Sequence, residues 1–502
     1  MALKIYNSLI NRKEEFKPIA AGEVKMYVCG VTVYDKCHIG HARGAFVFDV
    51  VRDYLTYKRY EVTYVKNITD VDDKIINKAA ELVEEYKKKG INKTLNEAVE
   101  EITACYIDAY YEDMDALGIK KADIEPRATE HIDDMIKMIE GLIEKGYAYE
   151  VDGDVYFDVK KYKDYGQLSN QSVEELQEGV RKEVDKKKRS ALDFALWKKV
   201  KEHEPHWQSP FSNGRPGWHL ECSAMSIKYL GDNFDIHGGG RDLIFPHHEN
   251  EIAQAECYTG KPFANVWMHN GLLTVEGQKM AKSLGNFVTI SEIIKKYHPE
   301  TLKLLFLLSH YASPVDFTFE KMDEARTARK KFYSLFEKIE NVLKDAGQAE
   351  EGAAAAEEAA LKRSLDDCAR GLEKASQGFI EAMDDDFNTP TALSRLFDIV
   401  NLINKFIRDE SVALKAKVAI LKSAKFTLKE FGGILGLFQK DEKNEAGEEM
   451  ELLNKVMAII LDIRQKARQG KNFELSDSIR ERLEDAGLIL EDEKGKTVWR
   501  KK

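Results

Sequence analysis

The tightest restriction on the fold is an alternation close to the N-terminus. Residues 24–28 read V-K-M-Y-V and predict a strand, residues 40–57 carry Phe46, Val47, Val50, Val51 and Tyr54 at helical spacing, and residues 62–65 predict a second strand. Strand, helix, strand is a βαβ unit, whose crossover requires a parallel sheet with helices on its faces. A second α/β stretch follows later, with a strand over 233–237, a turn at 238–240, a helix over 246–258 and a strand over 264–269. Between the two lie helical patterns over 74–117 and 129–145, a strand over 154–159 and a charged run over 183–189. An irregular loop marked by Pro205, Pro210, Asn213, Gly214 and Pro216 follows, with the return to the sheet near Gly217. After Ser291 the pattern is almost wholly helical. It is interrupted by an Ala/Glu-rich stretch at 349–360 and an acidic one at 441–451, the latter a solvated linker in this reading.

The 502 residues allow about three domains at roughly 150 residues each. The 76 Lys plus Arg against 87 Asp plus Glu leave a formal net charge of −11, which excludes a uniformly basic nucleic-acid coat but not a local basic face. No apolar run reaches the 18 or so residues of a membrane span, and the first residues lack the apolar core of a signal peptide, so the expectation is a cytoplasmic protein with no membrane partner. Six scattered cysteines without a CxxC pair are too sparse for a disulfide framework and read as thiols or metal ligands.

Two short motifs carry chemistry. His38-Ile39-Gly40-His41 opens the first helix, where histidines and free backbone N–H groups suit phosphate oxygens; the alternative is a capped helix start with two surface histidines. Lys279-Met280-Ala281-Lys282-Ser283 follows the 264–269 strand, and two lysines three apart can meet one polyphosphate; the alternative is a solvated basic turn. Both fall in order on the two halves of one α/β pattern.

With these motifs the chain resembles the class I aminoacyl-tRNA synthetases, and among them the cysteinyl family. The likeness runs through Y-V-C-G-V-T-V-Y-D at 27–35, H-I-G-H at 38–41, N-I-T-D-V-D-D-K at 67–74, E-P-R-A-T-E at 125–130, R-P-G-W-H-L-E-C-S at 215–223, F-D-I-H-G-G-G at 234–240 and F-P-H-H-E-N-E at 245–251. The K-M-S-K-S signature departs only in Ala281. The resemblance implies an α/β Rossmann-like catalytic domain with a parallel sheet and an inserted α+β region, followed by an α-helical bundle and a small C-terminal domain. The expected segments are a first catalytic half at 1–120, a connective insertion at 121–215, a second half at 216–275 and a junction bearing the lysine loop at 276–308. The bundle follows at 309–440, the acidic linker at 441–451 and an anticodon-binding domain at 452–502.

The resemblance also implies ATP-dependent attachment of L-cysteine, through an adenylate, to the 3′ end of tRNA(Cys) by a monomer using Mg2+ with ATP. One Zn2+ per subunit would be held by Cys29, Cys222, His247 and Glu251. Thiolate, imidazole and carboxylate are all zinc donors, and His247 and Glu251 are four apart on a predicted helix; the alternative is two buried thiols beside a surface His/Glu pair. Zinc binds thiolate well, a reason to use it where an ordinary pocket separates near-isosteres by only about a hundredfold. His38, His41, Lys279 and Lys282 are the implied catalytic residues and bind ATP together with Gly40, Gly239 and Asp242. Thr69, Trp218 and His237 match the amino-acid pocket, with a helix cap, a core residue and a strand-end packing residue as their respective alternatives. Trp499, among 12 cations and 9 acids in residues 452–502, either stacks on an unpaired base or packs. Two other readings are a related ligase joining cysteine to an amino sugar, which lacks a comparable C-terminal segment, and a zinc-stabilised nucleic-acid-binding protein without turnover.

Overall fold

The structure is a computed structural model that describes residues 2–172, 175, 187–200, 204–280, 284–348, 358–439, 445–470, 472–493 and 496–501. The chain divides into two compact units, 1–437 and 438–502.

A short antiparallel pair, β1 (Lys4–Asn7) and β2 (Arg12–Glu15), precedes the expected βαβ unit, which is present as β3 (Glu23–Thr32), α1 (Ile39–Tyr57) and β4 (Glu61–Thr69). β3 and β4 are parallel, with Met26 opposite Tyr64. The 74–117 pattern is two helices, α2 (Asp73–Lys88) and α3 (Leu95–Leu117), because Gly90 turns the chain at φ 75° and Thr94 caps α3 by exchanging hydrogen bonds with Glu97. The insertion holds α4 (Ile132–Glu144) and a four-stranded antiparallel sheet of β5 (Ala148–Val151), β6 (Asp154–Phe157), β7 (Phe194–Lys199) and β8 (Gly214–Pro216). The charged run at 183–189 lies mostly outside the described residues.

The chain then re-enters the main sheet through α5 (Trp218–Leu230), β9 (Phe234–Gly240), α6 (Glu249–Thr259) and β10 (Ala264–Asn270). The sheet order is β10-β9-β3-β4, parallel throughout. From β3 the chain moves outward to β4 and then returns to β9 on the opposite side. The order therefore reverses between β3 and β9, and a ligand crevice is expected beyond their C-terminal ends. Tyr27, Val65, Met135, Trp197, Leu220, Phe234, Ile252 and Trp267 form one core that joins this sheet to the inserted region.

Gly238, Gly239 and Gly240 belong to β9 and not to a turn. A Cβ on Gly238 would sit 2.3 Å from the Phe48 ring of α1, and one on Gly239 would sit 2.6 Å from the His248 ring. The glycines mark close approach of neighbouring elements, which a local pattern cannot distinguish from a turn.

The region after Ser291 is not wholly helical. Following β11 (Leu273–Val275), β12 (Gln278–Lys279), α7 (Ile290–Ile294) and α8 (Pro299–Leu307), a three-residue strand β13 (Val315–Phe317) pairs in parallel with β11. Four helices then follow: α9 (Phe319–Gln348), α10 (Glu358–Asp384), α11 (Thr389–Arg408) and α12 (Leu414–Ile434). Most of the Ala/Glu-rich stretch lies outside the described residues. The acidic stretch is a linker at most to residue 444, since α13 (Glu445–Gln469) starts inside it; Glu is a good helix former, and charge alone does not distinguish a linker from an exposed first turn. The second unit continues with α14 (Phe473–Asp485) and an unanticipated antiparallel pair, β14 (Leu488–Glu493) and β15 (Lys496–Lys501). There Trp499 lies opposite Leu490 and packs on a small core of Met457, Leu483 and Leu490, which favours its packing role.

Candidate active site and metal centre

A cleft of about 440 Å³ opens at the reversal point between β3 and β9. Cys29, His38, Gly40, His41, Trp218, Gly239, Asp242 and Lys279 all line it. Segments more than two hundred residues apart thus meet where the sheet topology places a ligand.

His38 is the N-cap of α1: its Nδ1 accepts from the backbone N–H of Gly40 at 3.1 Å and of His41 at 3.3 Å. His41 Nδ1 in turn accepts from the His38 N–H at 3.3 Å, and the two rings stack at 3.7 Å. The capped helix start is therefore present, but its histidines are half-buried and not at the surface, and the cap orients the rings. With Nδ1 accepting, each neutral ring carries its proton on Nε2, leaving a donor for an anionic ligand. Burial keeps the rings neutral, pushing His38 down to about 4 and His41, with His38 beside it, down to about 3.

The segment that follows the lysine loop is tied to this helix start. Ile39 N–H donates to Val288 O at 3.1 Å and Ile290 N–H to Cys37 O at 3.2 Å, while Val288 N–H points at Met280 Sδ at 3.5 Å. Lys279 is exposed and lines the cleft; Lys282, with Ala281 and Ser283, lies outside the described residues. Asp242 is exposed and also lines the cleft. Beneath the cleft, the buried Arg43 donates from Nη1 to Gly271 O at 2.6 Å and Leu272 O at 2.9 Å, and from Nη2 to Tyr311 O at 3.1 Å and to Ser313 O.

Behind the cleft wall, where Cys29 lines it, the four expected zinc donors converge. One ligand atom from each of Cys29, Cys222, His247 and Glu251 lies within 4.8 Å of all the others. Cys29 Sγ is 3.5 Å from Cys222 Sγ and 3.3 Å from Glu251 Oε1, and His247 Nε2 is 3.6 Å from Cys222 Sγ and 3.0 Å from Glu251 Oε1. Two sulfurs, one nitrogen and one oxygen at such separations fit a tetrahedral zinc ion. Electrostatics agrees: the His237 and His247 rings hold the Glu251 carboxyl well below its usual range despite burial, whereas burial beside Cys222 and Glu251 pushes the Cys29 thiol up. Deprotonated for binding, the two thiols would join the Glu251 carboxylate in supplying the negative charge that a dication neutralises. His247 sits in the wide turn (Ile244–His248) before α6 and not on the helix itself, yet it still reaches Glu251 on the first turn.

Of the three residues expected to line the amino-acid pocket, one lines the cleft. Trp218 is 38% exposed, lines the cleft and stacks on His247 at 4.0 Å. Thr69 is buried behind the cluster, its hydroxyl donating to Glu221 Oε2 at 2.9 Å, and Asp72, not Thr69, caps α2. His237 is fully buried against Trp267, with Nε2 2.8 Å from Glu251 Oε2. Neither lines the cleft; each is buried against an acid, Glu221 for Thr69 and Glu251 for His237. Residue patterns also missed His219, whose Nδ1 lies 2.9 Å from His247 Nδ1, and Asn67, whose Oδ1 accepts from the Gly30 N–H at 2.8 Å. The sole prior signal for either was membership in a segment already quoted.

Residues 15–327 match the family model for the class I (C) tRNA synthetase catalytic domain, and residues 378–439 match the DALR domain. The cysteine–tRNA ligases of Sulfurihydrogenibium sp. (strain YO3AOP1) and Thermodesulfovibrio yellowstonii are each 47% identical over the whole of both chains. That of Pyrococcus horikoshii is 46% identical, over 100% of this chain and 99% of its own. Among solved structures, Mycobacterium tuberculosis methionyl-tRNA synthetase bound by methionyl-adenylate shares the fold at a TM-score of 0.57 and 15% identity, over 84% of this chain and 95% of that one. The leucyl enzyme of Agrobacterium radiobacter K84 does so at 0.58 and 11%, over 84% and 85%.

Proposed function

Because the chain belongs to the class I aminoacyl-tRNA synthetases as a member of the cysteine–tRNA ligase family, we propose a division of labour among its residues for that family's reaction, the ATP-dependent attachment of cysteine to tRNA(Cys). In the first step the cysteine carboxylate attacks the α-phosphorus of Mg-ATP; a P–O bond forms to give the adenylate and pyrophosphate leaves. In the second, a terminal ribose hydroxyl of the tRNA attacks the acyl carbon and AMP leaves.

The Nε2–H groups of His38 and His41 donate to phosphate oxygens as charge moves onto them, a preorganised contribution that needs no protonation of either ring. Lys279 and Lys282 hold the departing pyrophosphate. Gly40 and Gly239 let the backbone approach the nucleotide, and Asp242 accepts from its ribose. Trp218 bounds the space for the amino acid. Cys29, Cys222, His247 and Glu251 hold zinc, which when bound offers the substrate thiolate a soft partner that a serine hydroxyl matches poorly. Thr69 and His237 hold Glu221 and Glu251 in place. The enzyme works as a monomer in the cytoplasm; among the described residues no helix is long and apolar enough to cross a membrane. Residues 452–502 read the anticodon.

The observation that carries this assignment is the meeting of the histidine pair, the lysine loop and the zinc quartet around one cleft. Its test is ATP-dependent attachment of labelled cysteine, with serine alongside, to total tRNA by zinc-replete protein. Charging by cysteine alone is expected; equal charging by serine would overturn the selectivity role, and charging by neither would overturn the function.

A further inference from the structure

The helical part of the first unit carries a groove that the chemistry in the cleft does not use. It runs between α9 and α11, measures about 660 Å³, and is lined by Lys330, Lys331, Lys338, Lys405 and Arg408 with no carboxylate in the lining. All five cations are exposed, and Lys338 Nζ donates to the neutral Asn404 Oδ1 at 2.9 Å. Other arginines of the same two helices are matched by acids, Arg326 by Asp323 at 3.0 Å and Arg395 by Asp398 at 2.8 Å. On a chain of net charge −11, a row of cations that no ion pair among the described residues matches is a local field of opposite sign to the whole.

We propose that this groove holds the ribose-phosphate backbone of the tRNA, away from its reacting end; the proposal rests on the reading of the chain as a tRNA-charging enzyme. Lys330 and Lys338 are eight residues apart on one helix, about 12 Å along its axis. The charges therefore form a line, which suits a chain of phosphates and not a single anion. Val400 is the lone apolar residue of the lining, and the rest is ammonium, guanidinium, hydroxyl and amide. Such a wall offers no aromatic platform for a base and none of the aromatic anchors that dominate protein interfaces. Hydroxyls and amides suit ribose oxygens, and lysines serve as point charges for phosphate. Contacts of this kind set affinity and register without reading sequence. Groove and cleft lie in the same compact unit.

The test is a full-length variant combining Lys330→Gln, Lys331→Gln, Lys405→Gln and Arg408→Gln, compared with the wild type for binding to a tRNA(Cys) transcript across a salt series. Removing four phosphate contacts flattens the dependence of log K on log salt by about 3, at roughly 0.7–0.9 per contact, and weakens low-salt binding about tenfold or more. Cysteine-dependent ATP–pyrophosphate exchange is expected to stay at the wild-type rate, which shows that the cleft is intact. A companion carrying Lys330→Arg, Lys331→Arg and Lys405→Arg keeps the wild-type slope if charge is what counts. Unchanged affinity and slope in the glutamine variant would overturn the proposal, and this is also the result for a groove that docks an acidic protein. A wild-type protein that neither binds nor charges tRNA would overturn the functional reading itself, an outcome visible without any variant.

Discussion

His219 Nδ1 lies 2.9 Å from His247 Nδ1, so the imidazole that faces Cys222 and Glu251 through Nε2 is fixed from behind through its other nitrogen. With Nε2 free to bind a metal, the His247 proton is on Nδ1 and is donated to His219, which burial keeps neutral and able to accept. Partners of this kind typically carry a 10–100-fold effect on metal affinity. His219→Ala is expected to weaken zinc binding by about that factor in chelator competition, and to raise the KM for cysteine more than that for ATP. Wild-type zinc affinity would reduce His219 to packing.

The capping histidines make acid stability a readout of the site. Both rings titrate below the ordinary 6.5 in the folded chain, at about 4 for His38 and about 3 for His41, so the unfolded chain takes up protons first on acidification. Their contribution is fully present above pH 6.5 and is lost as the pH falls toward these values. The midpoint of thermal unfolding should therefore drop from pH 6.5 to 4, and should drop less in His38→Asn, which keeps a capping side chain without a titrating ring. Equal slopes would contradict the assigned protonation.

The lysine loop should act on the first chemical step. Lys282→Ala and Lys279→Ala are each expected to slow adenylate formation about a hundredfold in a rapid-quench measurement while leaving the Kd for tRNA within about twofold. A normal adenylate burst in either variant removes that lysine from pyrophosphate binding.

Packing against β9 leaves no room for a methyl group. Gly238→Ala places a Cβ 2.3 Å from the Phe48 ring, and overpacking of this sort costs about 1–3 kcal/mol, to be read from denaturant unfolding. A loss below about 0.5 kcal/mol would mean that α1 moves aside freely.

Removing residues 440–502 cuts the chain near the boundary of its two compact units, in contrast to a cut at 452, which would run through α13. The shortened chain is expected to retain cysteine-dependent ATP–pyrophosphate exchange while losing most tRNA charging. Equal loss of both would contradict the proposed role of the C-terminal segment.

What could be read from the sequence was whatever is written locally. The βαβ unit follows from apolar spacing within single elements, and the strands extend beyond their apolar cores where a parallel partner continues the ladder, as Thr69 does opposite Thr32. β13 and the pair β14–β15 went unread: three residues of strand carry too little pattern, and the last pair sits in a charged segment whose apolar side is Leu488, Leu490 and Trp499. At the site, the chemistry-bearing types were legible through the family likeness, but their depth was not. Thr69 and His237 are strand residues buried against Glu221 of α5 and Glu251 of α6, partners far away in sequence, and the link from His219 to His247 joins residues 28 positions apart, beyond any helical or strand period.

Arg43 has a bearing on how such a protein can be taken apart and reassembled. Two of its four carbonyl partners belong to the segment just after β10, and the other two, Tyr311 and Ser313, come after α8, immediately before β13 pairs with β11. A piece ending at residue 308 would strand half of a buried guanidinium's acceptors and leave β11 without its parallel neighbour. The smallest transferable cassette therefore extends past Phe317. Recombination that exchanges one set of helices for another must cross over downstream of that point; an earlier crossover delivers a cleft without its floor.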